Sequence, residues 1–141
     1  MKMRKYLFII TAIFTLLLTG QVKAQLDSTL QLCQSHMNLP YLSDGQSYTA
    51  LLNGDEVAEF YATFYGESTY RIVGYSGTME GNLIFSVYDK ERNLLFTNND
   101  FENIPYWDFE FDYTMDCIIE AKLDSKYSTS GIAVLLIGFQ Q

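Results

Sequence analysis

The feature that most constrains the fold is a strict alternation of aromatic and acidic side chains near the middle of the chain. It runs as Trp107, Asp108, Phe109, Glu110, Phe111, Asp112 and Tyr113. Successive side chains of a β-strand point to opposite faces of the sheet. The pattern therefore predicts a strand whose aromatic face lies on a core and whose acidic face lies in solvent.

The same period of two recurs along most of the chain, with turn residues between the segments. Eight strands are predicted, at residues 46–52, 56–65, 69–75, 82–88, 94–97, 107–113, 117–123 and 132–139. The last is apolar on both faces, which predicts a central strand covered on both sides. No helical crossover separates the strands. We therefore predict an all-β domain over residues 46–141, an antiparallel two-sheet sandwich that is jelly-roll-like.

The first 24 residues have the three parts of a secretory signal peptide. Basic residues come first, an apolar run over residues 6–18 follows, and Ala24 provides a small residue before the cut. The apolar run is shorter than the roughly 20 residues of a membrane-spanning helix, so an uncleaved anchor is the weaker alternative. Cleavage after Ala24 would leave 117 residues, the length of one domain, in a secreted or periplasmic protein.

Removal of the signal peptide makes the chain strongly acidic. Four of the nine basic residues lie in it and none of the 17 acidic ones do, so the mature chain has a formal net charge of −12. Such a surface repels nucleic acid and anionic membranes, and it can attract cations or a basic partner. The longest later apolar run, residues 132–137, is strand-sized and too short to span a membrane.

A short helix is predicted in the N-terminal segment, residues 25–45, that precedes the sandwich. Residues 27–29, Asp-Ser-Thr, can cap its first turn. Leu30, Cys33 and Met37 would then share one apolar face, at spacings of three and four.

The mature chain contains two cysteines, Cys33 and Cys117. An exported domain meets oxidising conditions, so an even pair predicts a disulfide that pins the helix to the sheet. The bond would close a loop of about 85 residues, worth roughly 4 to 5 kcal/mol. Two buried, unpaired thiols are the alternative. A metal site on this pair lacks ligands, because His36 is the sole histidine.

Catalytic and metal-binding patterns are weak. His36 has no partner that would complete a Ser-His-Asp or Cys-His arrangement. Carboxylates are so numerous that no pair stands out as an acid and base. Oxygen ligands for calcium occur together at Asp89, Asn98, Asn99, Asp100 and Glu102. Ordinary turns are the stronger reading of those residues, so no cofactor is predicted and calcium remains an alternative.

Three tyrosines, Tyr61, Tyr65 and Tyr88, fall on predicted outward faces of strands. An aromatic row of this kind can stack on sugar rings or anchor a protein partner. Tyrosine is also favoured on exposed strand faces for packing alone, which is the simpler reading.

Four motifs carry a family resemblance. They are Leu51–Phe60 with its Gly54–Asp55 turn, Ser68–Ile72 around Tyr70, the Leu-rich Gly81–Asp89, and Gly131–Val134. Together they resemble the bacterial pre-peptidase C-terminal (PPC-like) domain, and the chain is similar to small exported proteins of Bacteroides-type bacteria.

The resemblance covers residues 46–139. It implies a jelly-roll-like sandwich that accompanies secreted enzymes and aids secretion or substrate binding, with relatives that bind collagen and use calcium. No ligand set matches residue by residue, so no site is carried over.

The sequence therefore predicts an exported, non-enzymatic β-sandwich module that binds a protein or glycan partner at the cell envelope. A carboxylate-dependent hydrolase and a calcium-dependent adhesion module are the alternatives.

Overall fold

The computed structural model describes residues 20–140, in which one helix precedes eight strands. The helix, α1, occupies residues 20–35 of this range. The strands are β1 (Tyr41–Asn53), β2 (Val57–Phe64), β3 (Ser68–Ser76), β4 (Leu83–Asp89), β5 (Leu94–Thr97), β6 (Tyr106–Phe111), β7 (Met115–Leu123) and β8 (Ser130–Gln140). A short 3-10 helix, η1 (Asn98–Phe101), joins β5 to β6. All eight predicted strands are present.

The strands form two antiparallel four-stranded sheets, in the orders β1-β8-β3-β6 and β2-β7-β4-β5. Strand β1 pairs with β8, β2 with β7, β3 with β6, and β4 with β5. These are the pairs of one long antiparallel ribbon that has been rolled into two layers, which is the jelly-roll arrangement. The predicted two-sheet, jelly-roll-like sandwich is confirmed, as is the central position of β8 between β1 and β3.

The inward faces of the two sheets enclose a core rich in aromatic side chains. Phe64 of β2 stacks on Phe111 of β6, with ring centroids 4.6 Å apart. Trp107 and Phe109 pack against Phe96 of β5 and close that side of the sandwich. The predicted inward alternation is thus confirmed for three of its four aromatic residues. The fourth prediction is wrong: Tyr113 lies beyond the end of β6 and is 66 % exposed.

Helix α1 covers the outer face of the β1-β8-β3-β6 sheet, which we call the covered face. Cys33 packs there with Val73, Tyr75, Val134 and Leu136 in a second buried apolar cluster. The predicted apolar face of the helix is confirmed, since Leu30 and Met37 also pack against this cluster.

Two predicted boundaries are wrong. Residues 27–29 do not cap the helix, because it is already formed at residue 20. The Ser28 and Thr29 hydroxyls instead donate to the carbonyls of Ala24 and Gln25, four residues earlier. The first strand begins at Tyr41 rather than at residue 46, so part of the predicted N-terminal segment belongs to the sandwich.

The predicted Cys33–Cys117 disulfide is also wrong, because both thiols are free and buried. They lie in different layers of the molecule. Cys33 is on the covered face, where its Sγ–H points at the carbonyl of Val134 at 3.7 Å. Cys117 is on β7 of the opposite sheet and faces the core between the sheets. A whole sheet therefore separates them, whereas a disulfide needs Cβ atoms about 4 Å apart.

Most of the predicted signal peptide, residues 1–19, lies outside the described residues. The predicted cut after Ala24 falls inside α1, and it stays a prediction. Between residues 20 and 140, no helix has the length and apolar character needed to cross a membrane.

Candidate functional site

Within residues 20–140, no helix packs on the outer face of the β2-β7-β4-β5 sheet, and we call it the open face. Strand pairing sets its residues in rows across β2, β7 and β4. The face comprises Val57, Glu59, Tyr61, Thr63, Ile84, Ser86, Tyr88, Asp116, Ile118, Glu120 and Lys122. Its side chains are mixed in polarity, as expected of a sheet face in contact with water.

One row of the open face is apolar. Ile118 on β7 has Tyr61 on one side and Tyr88 on the other, because it is the Cα partner of both. Tyr61 is 68 % exposed and Tyr88 is half-buried, while Ile118 is only 8 % exposed and belongs to neither buried cluster. Two of the three tyrosines singled out in the sequence are thus brought into one row, with a buried aliphatic side chain between them.

An arginine from the β4–β5 turn fixes the charges beside this row. Arg92 Nη2 donates to Glu59 at 2.8 Å, and its Nη1 donates to Glu120 at 3.1 Å. The Tyr61 hydroxyl donates to the other oxygen of Glu59 at 3.0 Å. The bonds from Arg92 and Tyr61 lower the pKa of Glu59. Tyr61 is therefore held in place by a hydrogen-bonded chain before any partner arrives.

The third tyrosine, Tyr65, lies apart from the row. It lines a groove of about 480 Å³ between β1 and β2, which are edge strands of the two sheets. We call this the tyrosine groove, and its lining residues are Asp44, Gln46, Tyr48, Tyr61, Ala62, Thr63, Phe64, Tyr65, Tyr70, Ile137 and Phe139. Tyr61 lines both this groove and a shallow depression over Ile118. Strand β2 therefore borders two depressions, of which the tyrosine groove is the aromatic one.

A second cluster, which was not predicted from the sequence, lies at the end of α1. Arg71 on β3 makes a two-bond ion pair with Asp108, at 2.7 and 2.8 Å. Its guanidinium carbon lies 4.2 Å from the ring centre of Tyr41 and 4.7 Å from that of Tyr106. Its Nη1 also donates to the His36 carbonyl at 3.0 Å. Asp108 and Glu110 are both exposed, as predicted for the acidic face of β6, but Asp108 is in addition ion-paired with Arg71.

The imidazole of His36 does have partners, although none was predicted. Its Nε2 lies 2.7 Å from the Tyr75 hydroxyl, and its ring packs against Tyr106 with centroids 5.1 Å apart. Cys33 lies one turn earlier on the helix, but its thiol points to Val134 and not to the imidazole. Burial raises the pKa of the Cys33 thiol to about 12. A reactive thiolate is thus disfavoured, and the cluster holds the helix end to the sheet.

Two of the residues considered for calcium, Asn98 and Asp89, have structural roles. Asn98 is fully buried; its side chain accepts from the Phe85 backbone N–H and donates to the carbonyls of Leu83 and Ile104. Asp89 accepts two bonds from Asn93 in the β4–β5 turn. Within residues 20–140, no three His, Cys, Asp or Glu side chains are grouped to hold a metal ion. These contacts agree with the simpler reading of the residues as turns.

Comparisons with known proteins bear on the fold. No family model matches the sequence, and no curated protein matches it either. Among solved structures, the chain is similar to Aeromonas hydrophila PliG, a periplasmic lysozyme inhibitor of g-type lysozyme. The TM-score is 0.54 at 10 % identity, over 73 % of this chain and 90 % of that one. A de novo designed double-stranded β-helix matches at a TM-score of 0.36 and 13 % identity, over 66 % of this chain and 97 % of that one.

Proposed function

We propose that this chain is an exported, non-enzymatic β-sandwich module that binds a protein partner through its open face. The observation that carries the proposal is the row of Tyr61, Ile118 and Tyr88 on a sheet face that no described element covers. Tyrosine combines a large apolar surface with a polar tip, and it is enriched where proteins meet.

The rigidity of the row supports binding. Arg92 and Glu59 hold the exposed Tyr61 through side-chain bonds, so little side-chain entropy remains to be lost when a partner docks. The row also has a central apolar residue with polar and charged groups around it. An apolar centre within a polar rim is the usual composition of a protein interface.

The shared fold suggests a first partner to test. PliG is a periplasmic inhibitor of g-type lysozyme, so the sandwich is compatible with a protein whose task is to bind an enzyme. The formal charge of −12 on the mature chain favours a basic partner, because opposite charges steer association. We therefore propose a g-type lysozyme, or another enzyme acting on the cell wall, as the partner. The predicted signal peptide and the PPC-like resemblance support an encounter outside the cytoplasm.

Purified mature chain, residues 25–141, tests the proposal against g-type lysozyme. We expect a stoichiometric complex in solution and slower lysis of a bacterial cell suspension. Tyr61→Ala and Tyr88→Ala should each weaken the complex at least tenfold, the loss expected of a buried interface tyrosine. Tyr127→Ala is the matched control, because Tyr127 is 63 % exposed in the turn between β7 and β8, away from the row.

Two outcomes would contradict the proposal at different levels. If lysozyme neither binds nor is inhibited, g-type lysozyme is not the partner. The same bait is then used on a periplasmic extract, with Tyr61→Ala bait as the matched negative. A set of captured proteins identical for both baits, or binding to soluble glycans alone, would remove the open face as a protein-binding surface.

A further inference from the structure

An irregularity in β1 contributes to the wall of the tyrosine groove. Pairing between β1 and β8 is regular up to Ser43 and resumes at Ser47, so Asp44, Gly45 and Gln46 bulge out of the ladder. Gly45 has a φ of +81°, a left-handed conformation that glycine adopts without steric cost. The Asp44 side chain accepts the Gln46 backbone N–H at 2.8 Å and thereby closes the bulge. Asp44 and Gln46 of the bulge line the groove.

The groove is lined in part by aromatic and aliphatic side chains of the core. Ile137, Phe64 and Tyr70 are buried on the groove floor, and the exposed ring of Tyr65 stands on its rim. The Tyr70 hydroxyl accepts the backbone N–H of Tyr65 at 3.0 Å, which fixes the rim to the floor. The groove is therefore a preformed feature of the sandwich.

The charge of the groove comes from one group. Among the described residues that line it, Asp44 is the only one that carries a formal charge at neutral pH, and none is lysine or arginine. The second carboxylate oxygen of Asp44 has only a long contact, 3.4 Å, with the Tyr48 hydroxyl, and Asp44 is exposed. A cation entering the groove would meet a carboxylate with a free lone pair and the faces or edges of up to four tyrosines.

We propose that the tyrosine groove receives a lysine or arginine side chain of the protein partner. The inference rests on the proposed function and names the chemistry by which the partner is recognised. An apolar side-chain stem fits the floor of Ile137 and Phe64, and the cationic head meets Asp44 and the tyrosine rings. Cations are attracted to aromatic faces, most strongly where water is partly excluded. The overall charge of −12 acts in the same direction at longer range.

The test uses short capped peptides, so it does not depend on knowing the partner. Acetyl-Gly-Lys-Gly-amide and its arginine form are titrated into isotopically labelled mature chain, with the glutamine form as the uncharged probe. We expect saturable NMR shifts at Gly45, Gln46 and Tyr65 with the cationic peptides. The glutamine peptide should bind at least tenfold more weakly.

Matched variants separate charge from shape. Asp44→Asn keeps an oxygen that can accept the Gln46 N–H, so the bulge should persist while cationic binding falls at least tenfold. Tyr65→Leu should reduce binding severalfold, and Tyr65→Phe should retain it because only the hydroxyl is lost. Asp55→Asn removes the same charge from the turn after β1, at the other end of the strand, and should leave binding unchanged. Urea unfolding confirms that each variant folds.

Each result bears on the groove separately from the open face. Equal shifts with the glutamine peptide, no saturable shift with lysine, or a larger response to a soluble N-acetylglucosamine oligomer would each overturn the groove proposal. None of these results changes the effect of Tyr88→Ala on a lysozyme complex, because Tyr88 does not line the groove. A failure of the groove and a failure of the proposed function are therefore distinguishable.

Discussion

The two outer faces of this sandwich differ in whether a described element of the chain covers them. At the centre of the covered face Val134 of β8 is fully buried, and the residues beside it are apolar. At the centre of the open face Ile118 of β7 is nearly as buried, yet its strand neighbours on that face, Asp116 and Glu120, are acidic. A helix that belongs to the chain covers the first face. The open face has one apolar row surrounded by polar residues, which is a composition suited to transient binding of a partner.

The difference also appears in how each face uses its charged groups. On the covered face, Arg71 lies over two aromatic rings, pairs with Asp108 and donates to the His36 carbonyl, and it thereby fastens the end of the helix to the sheet. On the open face, Arg92 and Glu59 fasten one side chain, Tyr61, and leave it exposed. The first network stabilises the fold. The second fixes the shape of a surface.

The largest expected contrast comes from truncating a buried leucine of the covered face and an exposed leucine on β5 of the other sheet. Leu136 on the covered face is 3 % exposed, and Leu136→Ala should lower the free energy of unfolding by about 2 to 5 kcal/mol, since it leaves a cavity under the helix. Leu95 on β5 is 45 % exposed, and Leu95→Ala should change it by less than about 0.5 kcal/mol. Urea unfolding measures both. Equal losses of unfolding free energy in the two variants would mean that packing of α1 does not make the covered face part of the core.

Alkaline pH should weaken the covered face through its thiol. Burial raises the pKa of Cys33 to about 12, whereas an unfolded thiol ionises near pH ~8.5. At pH below the pKa of the unfolded thiol, the buried neutral thiol contributes fully to the free energy of unfolding. This contribution is lost as the pH rises from that pKa toward the pKa of the folded thiol. Stability should fall by up to about 1.4 kcal/mol per pH unit in that window because of this group. Cys33→Ala should remove that part of the slope.

Thiol titration gives an independent check that both cysteines are free. Without reductant, a thiol reagent should find none accessible in the folded chain and two in urea, because Cys33 and Cys117 are both buried. Burial also raises the pKa of Cys117, to about 11, which slows its reaction further. Failure to detect thiols in urea would restore the disulfide.

A smaller effect is expected at the ion pair on the edge of the covered face. The bonds from Arg71 lower the pKa of Asp108, and partial burial opposes them. Asp108 is partly exposed, so Asp108→Asn should cost only about 0.5 to 1 kcal/mol at neutral pH. Because the pKa of Asp108 is lower in the folded chain, its carboxylate stabilises the fold at pH above the pKa of an unfolded aspartate, ~3.9. This stabilisation is lost as the pH falls through the pKa of Asp108 in the folded chain. The variant and the parent should therefore converge in acid.

Exposed Glu110 on the same strand provides the control for this pair. Glu110→Gln should change the free energy of unfolding by less than about 0.5 kcal/mol at neutral pH, as at other surface sites. A cost at Glu110 as large as that at Asp108 would mean that the ion pair adds nothing beyond an ordinary acidic surface.

The sheet architecture could be predicted because alternation is a local property of the chain. The pattern from Trp107 to Phe111 assigned each side chain to a face, and the double-sided apolar pattern of β8 placed that strand centrally. Tyr113 was misassigned because alternation does not show where a strand ends. The turn at Asn53–Gly54 was visible for the same local reason.

The site could be predicted only in part, because it depends on pairing between distant strands. Tyr61 and Tyr88 were recognised as outward-facing, but only the register with Ile118 sets them in one row. The Arg71–Asp108 pair joins residues 37 positions apart and has no local signal. The disulfide was predicted from composition and compartment, and neither reports on which layer of the sandwich holds each cysteine.

The smallest expected effect on stability is at the residue on which the proposed function most depends. Tyr61→Ala should change the free energy of unfolding by less than about 0.5 kcal/mol, since the side chain is 68 % exposed and its bond to Glu59 lies in water. On the covered face Tyr75→Ala should cost about 3 to 5 kcal/mol, because that ring is 2 % exposed. Urea unfolding of the two tyrosine variants measures the contrast. A rigid exposed ring that adds nothing to folding is available to a partner. A loss of unfolding free energy above about 1 kcal/mol at Tyr61 would instead mean that the row exists to shield Ile118. The open face would then need no partner to explain it.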